Sequence, residues 1–128
     1  MVDALPLRNG MRVLEIGCGT GAAARAIIQR LPNIYVLAID RSEKAIRTAL
    51  MHSQEAIATG RLCFRQAAIE EFILKKGEPP FDVAFAVRVG ALDGRHPEIE
   101  QAALQRIAGA LTPKGKLFID GKDASARV

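Results

Sequence analysis

Apolar residues fall in two alternating patterns along the chain. One is a short, nearly continuous run: 12–16, which ends at a cluster of glycines, then 34–39, which ends at Asp40, then 61–68, 81–89 and 116–120. In 81–89 the alternation is sharpest, with Val83, Phe85, Val87 and Val89 separated by small or polar residues. The other pattern places inward-facing positions three or four apart: Ala24, Ile27, Ile28 and Leu31; Ile46, Ala49, Leu50, Ser53 and Ile57; Ile99, Ala103, Ile107 and Leu111. Buried strands produce the first pattern and amphipathic helices the second.

The punctuation agrees. Leu31-Pro32-Asn33 closes the first helix, Ser42 is placed to cap the second, and Gly60 follows its end. Residues 70–76 predict a short helix, broken by Glu78-Pro79-Pro80. Residues 90–96 read as a loop, Pro97 suits the first turn of the last helix, and Thr112-Pro113-Lys114-Gly115 reads as a turn before the fifth strand. A polar tail follows Asp120.

Five strands alternating with four helices predict one α/β domain over 1–128, a parallel sheet with helices on both faces. Right-handed crossovers leave few topologies, and strand order 3-2-1-4-5 is the natural one. That three-layer, Rossmann-like arrangement has a switch point between strands 1 and 4, and ligands bind there, beyond the C-terminal strand ends.

Composition narrows the class. The 128 residues include 18 Lys and Arg against 14 Asp and Glu, a net charge of +4, and 49% are hydrophobic, enough for a core. The basic excess lies in 1–65, nine against five; residues 66–128 are balanced, nine against nine. Basic residues are scattered, and one Tyr with no Trp gives little surface for stacking bases, so nucleic acid is not an expected partner. No apolar stretch approaches the ~18 residues of a membrane span, and no basic region followed by an apolar run opens the chain. A cytoplasmic protein with no membrane partner is the expectation. Cys18 and Cys63 are too few for a disulfide scaffold or a four-thiolate site, and no metal is expected. Cys63 reads as a core filler. Cys18 lies on the N-terminal side of a helix, where a thiol pKa can fall, although a small loop residue is the preferred reading.

The chemistry concentrates in Glu15-Ile16-Gly17-Cys18-Gly19-Thr20-Gly21, between the first strand and the first helix. Three glycines at alternate positions let the backbone turn sharply and approach a ligand. Asp40 ends the second strand 19 residues after Gly21, where a carboxylate reaches ribose hydroxyls. Gly17-x-Gly19-x-x-Ala22 also satisfies the dinucleotide pattern, so an NAD(P)-binding oxidoreductase domain is one reading. Glu15 argues against it, because its carboxylate would face a pyrophosphate of like charge. It suits a ligand with an ammonium group and no phosphate.

Glu15-x-Gly17-x-Gly19-x-Gly21 followed by Asp40 resembles the first and second motifs of the class I S-adenosylmethionine-dependent methyltransferases. Phe81-Asp82-Val83-Ala84-Phe85-Ala86 is similar to the family's fourth motif, and Leu111-Thr112-Pro113-Lys114-Gly115-Lys116-Leu117 to its turn before strand 5. The resemblance implies S-adenosyl-L-methionine as cofactor and methyl transfer to a nucleophile. It implies that Gly17, Gly19 and Gly21 pack against the methionyl part, with Cys18 as a tolerated small residue. Glu15 would organise the loop near the cofactor's amino group, Asp40 would accept from both ribose hydroxyls, and Arg41 would flank the adenine. Ala68 and Ile69 match the third motif, with Ile69 covering the adenine edge. Many members have an aspartate where Ala68 stands; Glu70 or backbone groups would replace it here.

Direct transfer rests on alignment, so no universal catalytic residue is implied. Arg88 belongs with the cofactor-site residues and is a catalytic candidate. It lines the substrate side, where it could clamp a carboxylate or phosphate or pair with Asp93. His96 is the other candidate, as a general base or as a helix-capping residue. The Asp/Asn-Pro-Pro-Tyr sequence of family members that methylate exocyclic amines is absent at Ala86-Val87-Arg88-Val89, which favours a small-molecule acceptor. The resemblance also implies a minimal core without the usual C-terminal antiparallel hairpin. Strand 5, with Leu117, Phe118 and Ile119, would then be an open edge, to be covered by a second copy of the chain or by residues 2–7. The alternative function is a non-catalytic or partner-dependent S-adenosylmethionine-binding module.

Overall fold

The computed structural model describes residues 5–128. The elements are β1 (Arg12–Ile16), α1 (Ala22–Arg30), β2 (Tyr35–Asp40), α2 (Glu43–His52), α3 (Gln54–Ala58), β3 (Leu62–Gln66), β4 (Phe81–Ala86), α4 (Pro97–Ala110), β5 (Leu111–Ile119) and β6 (Lys122–Asp123). They form one sheet in the order β3-β2-β1-β4-β5-β6. The first five strands are parallel, in the predicted order, and β6 runs antiparallel to β5.

Side chains alternate across the sheet with period two. Val13, Val36, Val83 and Phe118 pack on one face with Ile27 and Ile28 of α1 and Ile46 of α2. Leu14, Leu37, Ala84 and Leu117 pack on the other with Ala103, Ile107 and Ala110 of α4. Strands buried on both faces are apolar at nearly every position, which makes β1, β2 and β4 plain in the sequence even with Glu15 inside β1.

Four expectations are corrected. The second helix is not continuous. Ser53 turns inward, 1% exposed, and its Oγ accepts from the Arg25 guanidinium at 2.9 Å. That tertiary bond ends α2 at His52 and leaves Leu50 42% exposed rather than on the inner face. Second, 70–76 is not a helix: a single 3-10 turn, Ile69–Glu71, is followed by extended chain that still buries Phe72. Third, Cys63 is exposed. It sits on the edge strand β3, with its neighbours Leu62 and Phe64 facing the α1 side, and no helix covers the opposite face there.

The fourth concerns β5. The strand starts directly after α4, and the predicted turn is a bulge within it. Phe81 pairs with Leu111 and Val83 with Lys116, so residues 112–115 stand opposite Asp82 alone. The far edge of β5 is not open. Asp120 and Gly121, both at positive φ, form a two-residue turn of the kind hairpins favour, and β6 pairs with Phe118 and Ile119. Ala124 N–H donates to the Leu117 carbonyl at 2.7 Å, and Leu117 N–H donates to Ser125 Oγ at 2.9 Å. The chain covers this edge itself, so no second subunit is required there. Leu5 and Leu7 are buried in the α1-side core and form no strand; residues 2–4 of the expected covering segment lie outside the described residues. Among the described residues no helix is long and apolar enough to cross a membrane.

Candidate functional site

β1 ends at Ile16 and the chain turns over the C-terminal end of the sheet. Gly17, Gly19 and Gly21 have φ of 72°, 55° and 88°, a region that L side chains rarely adopt. A Cβ on Gly17 would stand 2.6 Å from Val89 Cγ2, and one on Gly21 2.8 Å from Phe64 Cζ. β2 holds the loop in place. The Ile39 carbonyl accepts from the N–H groups of Gly17 and Cys18 at 2.8 and 2.9 Å, and Asp40 Oδ2 accepts from Gly19 N–H at 2.8 Å. Asp40 Oδ1 accepts from Ser42 N–H at 2.9 Å, and Ser42 Oγ caps α2 by accepting from Ala45 N–H at 3.1 Å. One carboxylate thus joins the glycine loop to the start of α2, and each of its oxygens keeps a further lone pair.

A cavity of about 210 Å³ opens beside this turn. β2 and β4 flank β1, so the cavity draws its lining from both sides of the Ile16–Gly17 turn. Asp40, Arg41, Ala68, Ile69 and Glu70 come from the side of β2 and β3, and Arg88, Val89, Gly90 and Ala91 from the end of β4. Glu70 pairs with Arg41 at 3.5 Å. Of the expected cofactor residues, Gly17, Asp40, Arg41, Ala68, Ile69 and Arg88 line the cavity. Cys18, Gly19 and Gly21 do not, and build the loop beside it; nor does Glu15, which lies in β1 two residues before that loop.

Glu15 is the anomaly. It lies mid-sheet between Ala38 and Phe85, 6% exposed, and its Oε1 has no hydrogen-bond partner. The other partnerless buried side-chain atom among the described residues is Arg12 Nε. The Arg12 guanidinium lies over the rings of Tyr35 and Phe81, 4.6 and 5.0 Å from their centroids, and is compensated there. Glu15 has no such compensation. Burial, and then the charge of Asp40, push its pKa up to about 8. A buried carboxyl left without a partner destabilises the fold unless a positive group meets it. Burial and the same two acids push the Cys18 thiol up to about 12, so it stays protonated; the lowering that a helix start can bring does not occur.

The second anomaly is at the ends of β4 and β5. Arg88 and Asp120 have φ of 54° and 50°, the two non-glycine residues at positive φ among the described residues. Such backbone costs of order 1–3 kcal/mol per residue and gathers at functional sites. Asp120 Oδ1 accepts from Arg88 N–H at 2.8 Å, and Asp120 N–H donates to the Ala86 carbonyl at 2.9 Å. Asp93 pairs with Arg95 at 2.6 Å, so the alternative Arg88–Asp93 pair is not formed. His96 is exposed at the start of α4, outside the cavity; its carbonyl accepts from Glu100 N–H at 2.9 Å and its side chain caps nothing. Sequence reasoning misses Val89, which lines the cavity, and Asp120, which holds the Arg88 backbone from outside it, although the Asp120-Gly121 pair is a recognisable hairpin signal. No group of three or more His, Cys, Asp or Glu among the described residues is placed to hold a metal.

A family model described as a methyltransferase domain matches residues 7–127. The tRNA1(Val) (adenine(37)-N6)-methyltransferase of Pedobacter heparinus is 31% identical over 116 residues, covering 83% of this chain and 50% of that protein. A ubiquinone biosynthesis O-methyltransferase of Caulobacter sp. is 37% identical over 112 residues, covering 87% of this chain and 40% of that protein. A crystal structure of an S-adenosylmethionine-dependent methyltransferase from Thiobacillus denitrificans, in complex with S-adenosylhomocysteine, shares the fold. Its TM-score is 0.71 at 22% identity, over 92% of this chain and 44% of that one. The chain spans 40–50% of the length of these two curated relatives.

Proposed function

The chain belongs to the class I S-adenosylmethionine-dependent methyltransferase family, and from that premise we propose that residues 1–128 form one cofactor-binding unit of an enzyme that methylates a small-molecule nucleophile. The observation that carries this reading is the partnerless buried carboxyl of Glu15, set two residues before a glycine loop that Asp40 braces. Together they offer a counter-charge for an ammonium group and acceptors for ribose hydroxyls. Nothing in that pair suits a pyrophosphate, which sets NAD(P) aside.

The residues fit the cofactor. Glu15 would meet its ammonium group, and the free lone pairs of Asp40 its ribose hydroxyls. Arg41, Ala68 and Ile69 would enclose the adenine, while Gly19, Gly21 and Cys18 keep bulky side chains off the loop. S-adenosylmethionine supplies a methyl group already activated by a positive sulfur. The protein's share is then alignment and exclusion of water, with no obligatory acid or base. That is consistent with His96 lying outside the cavity. For the acceptor, the absence of a Pro-Pro-Tyr sequence at Ala86-Val87-Arg88-Val89 supports a small molecule, the kind of acceptor implied by the name of the ubiquinone-biosynthesis relative, over a nucleic-acid base.

Calorimetric titration with S-adenosylmethionine, S-adenosylhomocysteine and NAD tests the reading. Micromolar binding of the first two and none of NAD is expected; tight binding of NAD would reverse it. Methyl release from labelled cofactor against a metabolite panel then tests catalysis. Cofactor binding without release to any acceptor would favour the partner-dependent module.

A further inference from the structure

We propose that Arg88, expected among the cofactor residues, serves the acceptor rather than the cofactor: it is the anion-recognising element of the acceptor site, so that the methyl acceptor carries a carboxylate or phosphate gripped by this guanidinium. The proposal rests on the methyltransferase reading above.

The charges lining the cavity are Asp40, Arg41, Glu70 and Arg88. Three of them are already engaged. Arg41 and Glu70 pair with each other, and both oxygens of Asp40 accept backbone N–H groups. Of the four, only the Arg88 side chain has neither an ion pair nor a hydrogen bond among the described residues, although Asp120 bonds its backbone and Asp93 follows five residues on. Asp120 turns its Oδ1 to the Arg88 backbone N–H rather than to the guanidinium. Asp93 gives both oxygens to Arg95, Oδ1 to its backbone N–H at 3.0 Å and Oδ2 to Nε at 2.7 Å. The guanidinium fork is thereby left open.

An exposed, unpaired arginine is ordinary by itself. The backbone beneath this one is not. Glycine or asparagine would hold a left-handed turn with less strain. Here an arginine does so, locked by a second strained residue that ties the end of β5 to the end of β4. The lock fixes where the side chain leaves the sheet. That point lies across β1 from Asp40, so a group held by Arg88 faces the ribose side of the cavity. A planar five-donor fork matches the oxygens of a carboxylate or a phosphate.

The test uses the S-adenosylhomocysteine-loaded protein and ligand-detected NMR with matched pairs: benzoate against benzamide, and phenyl phosphate against phenol. The wild type is expected to bind one charged member about tenfold more tightly than its neutral partner, and which pair responds separates carboxylate from phosphate. Arg88→Gln should abolish that preference while calorimetric affinity for S-adenosylhomocysteine stays within about twofold, which also shows that the variant is folded. Asp120→Ala should weaken the preference, and Asp120→Asn, which keeps an acceptor oxygen and tolerates the left-handed backbone, should retain it. No charge preference in the wild type, or a preference that survives in Arg88→Gln, overturns the proposal. So does a tenfold loss of S-adenosylhomocysteine affinity in Arg88→Gln, which would assign the guanidinium to the cofactor's own carboxylate. Failure of the wild type to bind S-adenosylhomocysteine at all refutes the cofactor reading and this inference with it; loss of charge preference with the cofactor bound refutes the inference alone.

Discussion

Replacing Glu15 by Gln should stabilise the ligand-free protein, and by an amount that depends on pH. In the unfolded chain Glu15 titrates near 4.5, and in the fold near 8. Between those values the folded state holds a proton that the unfolded state has lost, so stability falls as pH rises, by about 1.4 kcal/mol per pH unit. From pH 4.5 to 7 the loss is 2.5 × 1.36, ~3 kcal/mol, and by pH 8 it is 3.5 × 1.36, ~5 kcal/mol, with no further change above. Against the ~5–15 kcal/mol that holds an ordinary domain together, that is a large share. The glutamine amide of the variant cannot ionise and keeps the shape of the protonated acid. The difference between variant and wild type should therefore be below ~1 kcal/mol at pH 5, ~3 kcal/mol at pH 7 and ~5 kcal/mol above pH 8. Urea unfolding followed by circular dichroism from pH 5 to 9 measures it. A difference that does not vary with pH would refute the reasoning. The same variant should bind S-adenosylhomocysteine more weakly, having lost the counter-charge. Stability and affinity moving in opposite directions could not come from a damaged fold.

Asp40→Ala should lower S-adenosylhomocysteine affinity by about thirtyfold or more, since hydrogen bonds to a charged group are each worth ~1.5–3 kcal/mol; unchanged calorimetric affinity would remove the ribose role. Gly17→Ala should destabilise by ~2–3 kcal/mol, from the positive φ and from a Cβ 2.6 Å from Val89 Cγ2. Adding Val89→Ala should recover the steric part and leave the backbone part, which a double-mutant cycle in urea resolves. With Ellman's reagent at pH 8, exposed Cys63 should react in the native protein and Cys18 only after denaturation, because the Cys18 thiol is buried and its pKa lies at about 12. Two fast-reacting thiols would contradict that burial.

The legible parts of the fold are those where one force dominates. β1, β2 and β4 are buried on both faces, so their apolar runs have no other reading. The glycine loop and Asp40 follow from the strand–turn–helix context of the motif. Tertiary contacts hide the rest. Ser53 has helical spacing from Ile46 and Ala49, and only the distant Arg25 reveals that the helix stops there. Phe72 and Leu74 are packed in the core from an extended segment, and two apolar residues are too short a pattern to separate that from a helix. The hairpin at Asp120-Gly121 is written in the dipeptide, but the polar residues after it mask the strand that follows. The left-handed backbone of Arg88 is not legible, since nothing in an arginine prefers it. Motif and spacing select Glu15, but its lack of a partner appears only once Ala38 and Phe85 close around it.

The central place of β1 shapes how this protein is born. Arg12 N–H donates to Asp82 Oδ2 at 2.8 Å across 70 residues of sequence. At ~5–20 residues per second, roughly 4–14 s of synthesis separate the two groups. Throughout that interval β1 can pair with β2, while its other edge waits for β4 and stays open to wrong partners. No small molecule can shelter the nascent half, because the binding cavity needs Arg88 and Val89 as well as Asp40 and Ile69. A chain arrested on the ribosome before Phe81 would carry the glycine loop and Asp40 intact, yet have nothing with which to close a ligand in.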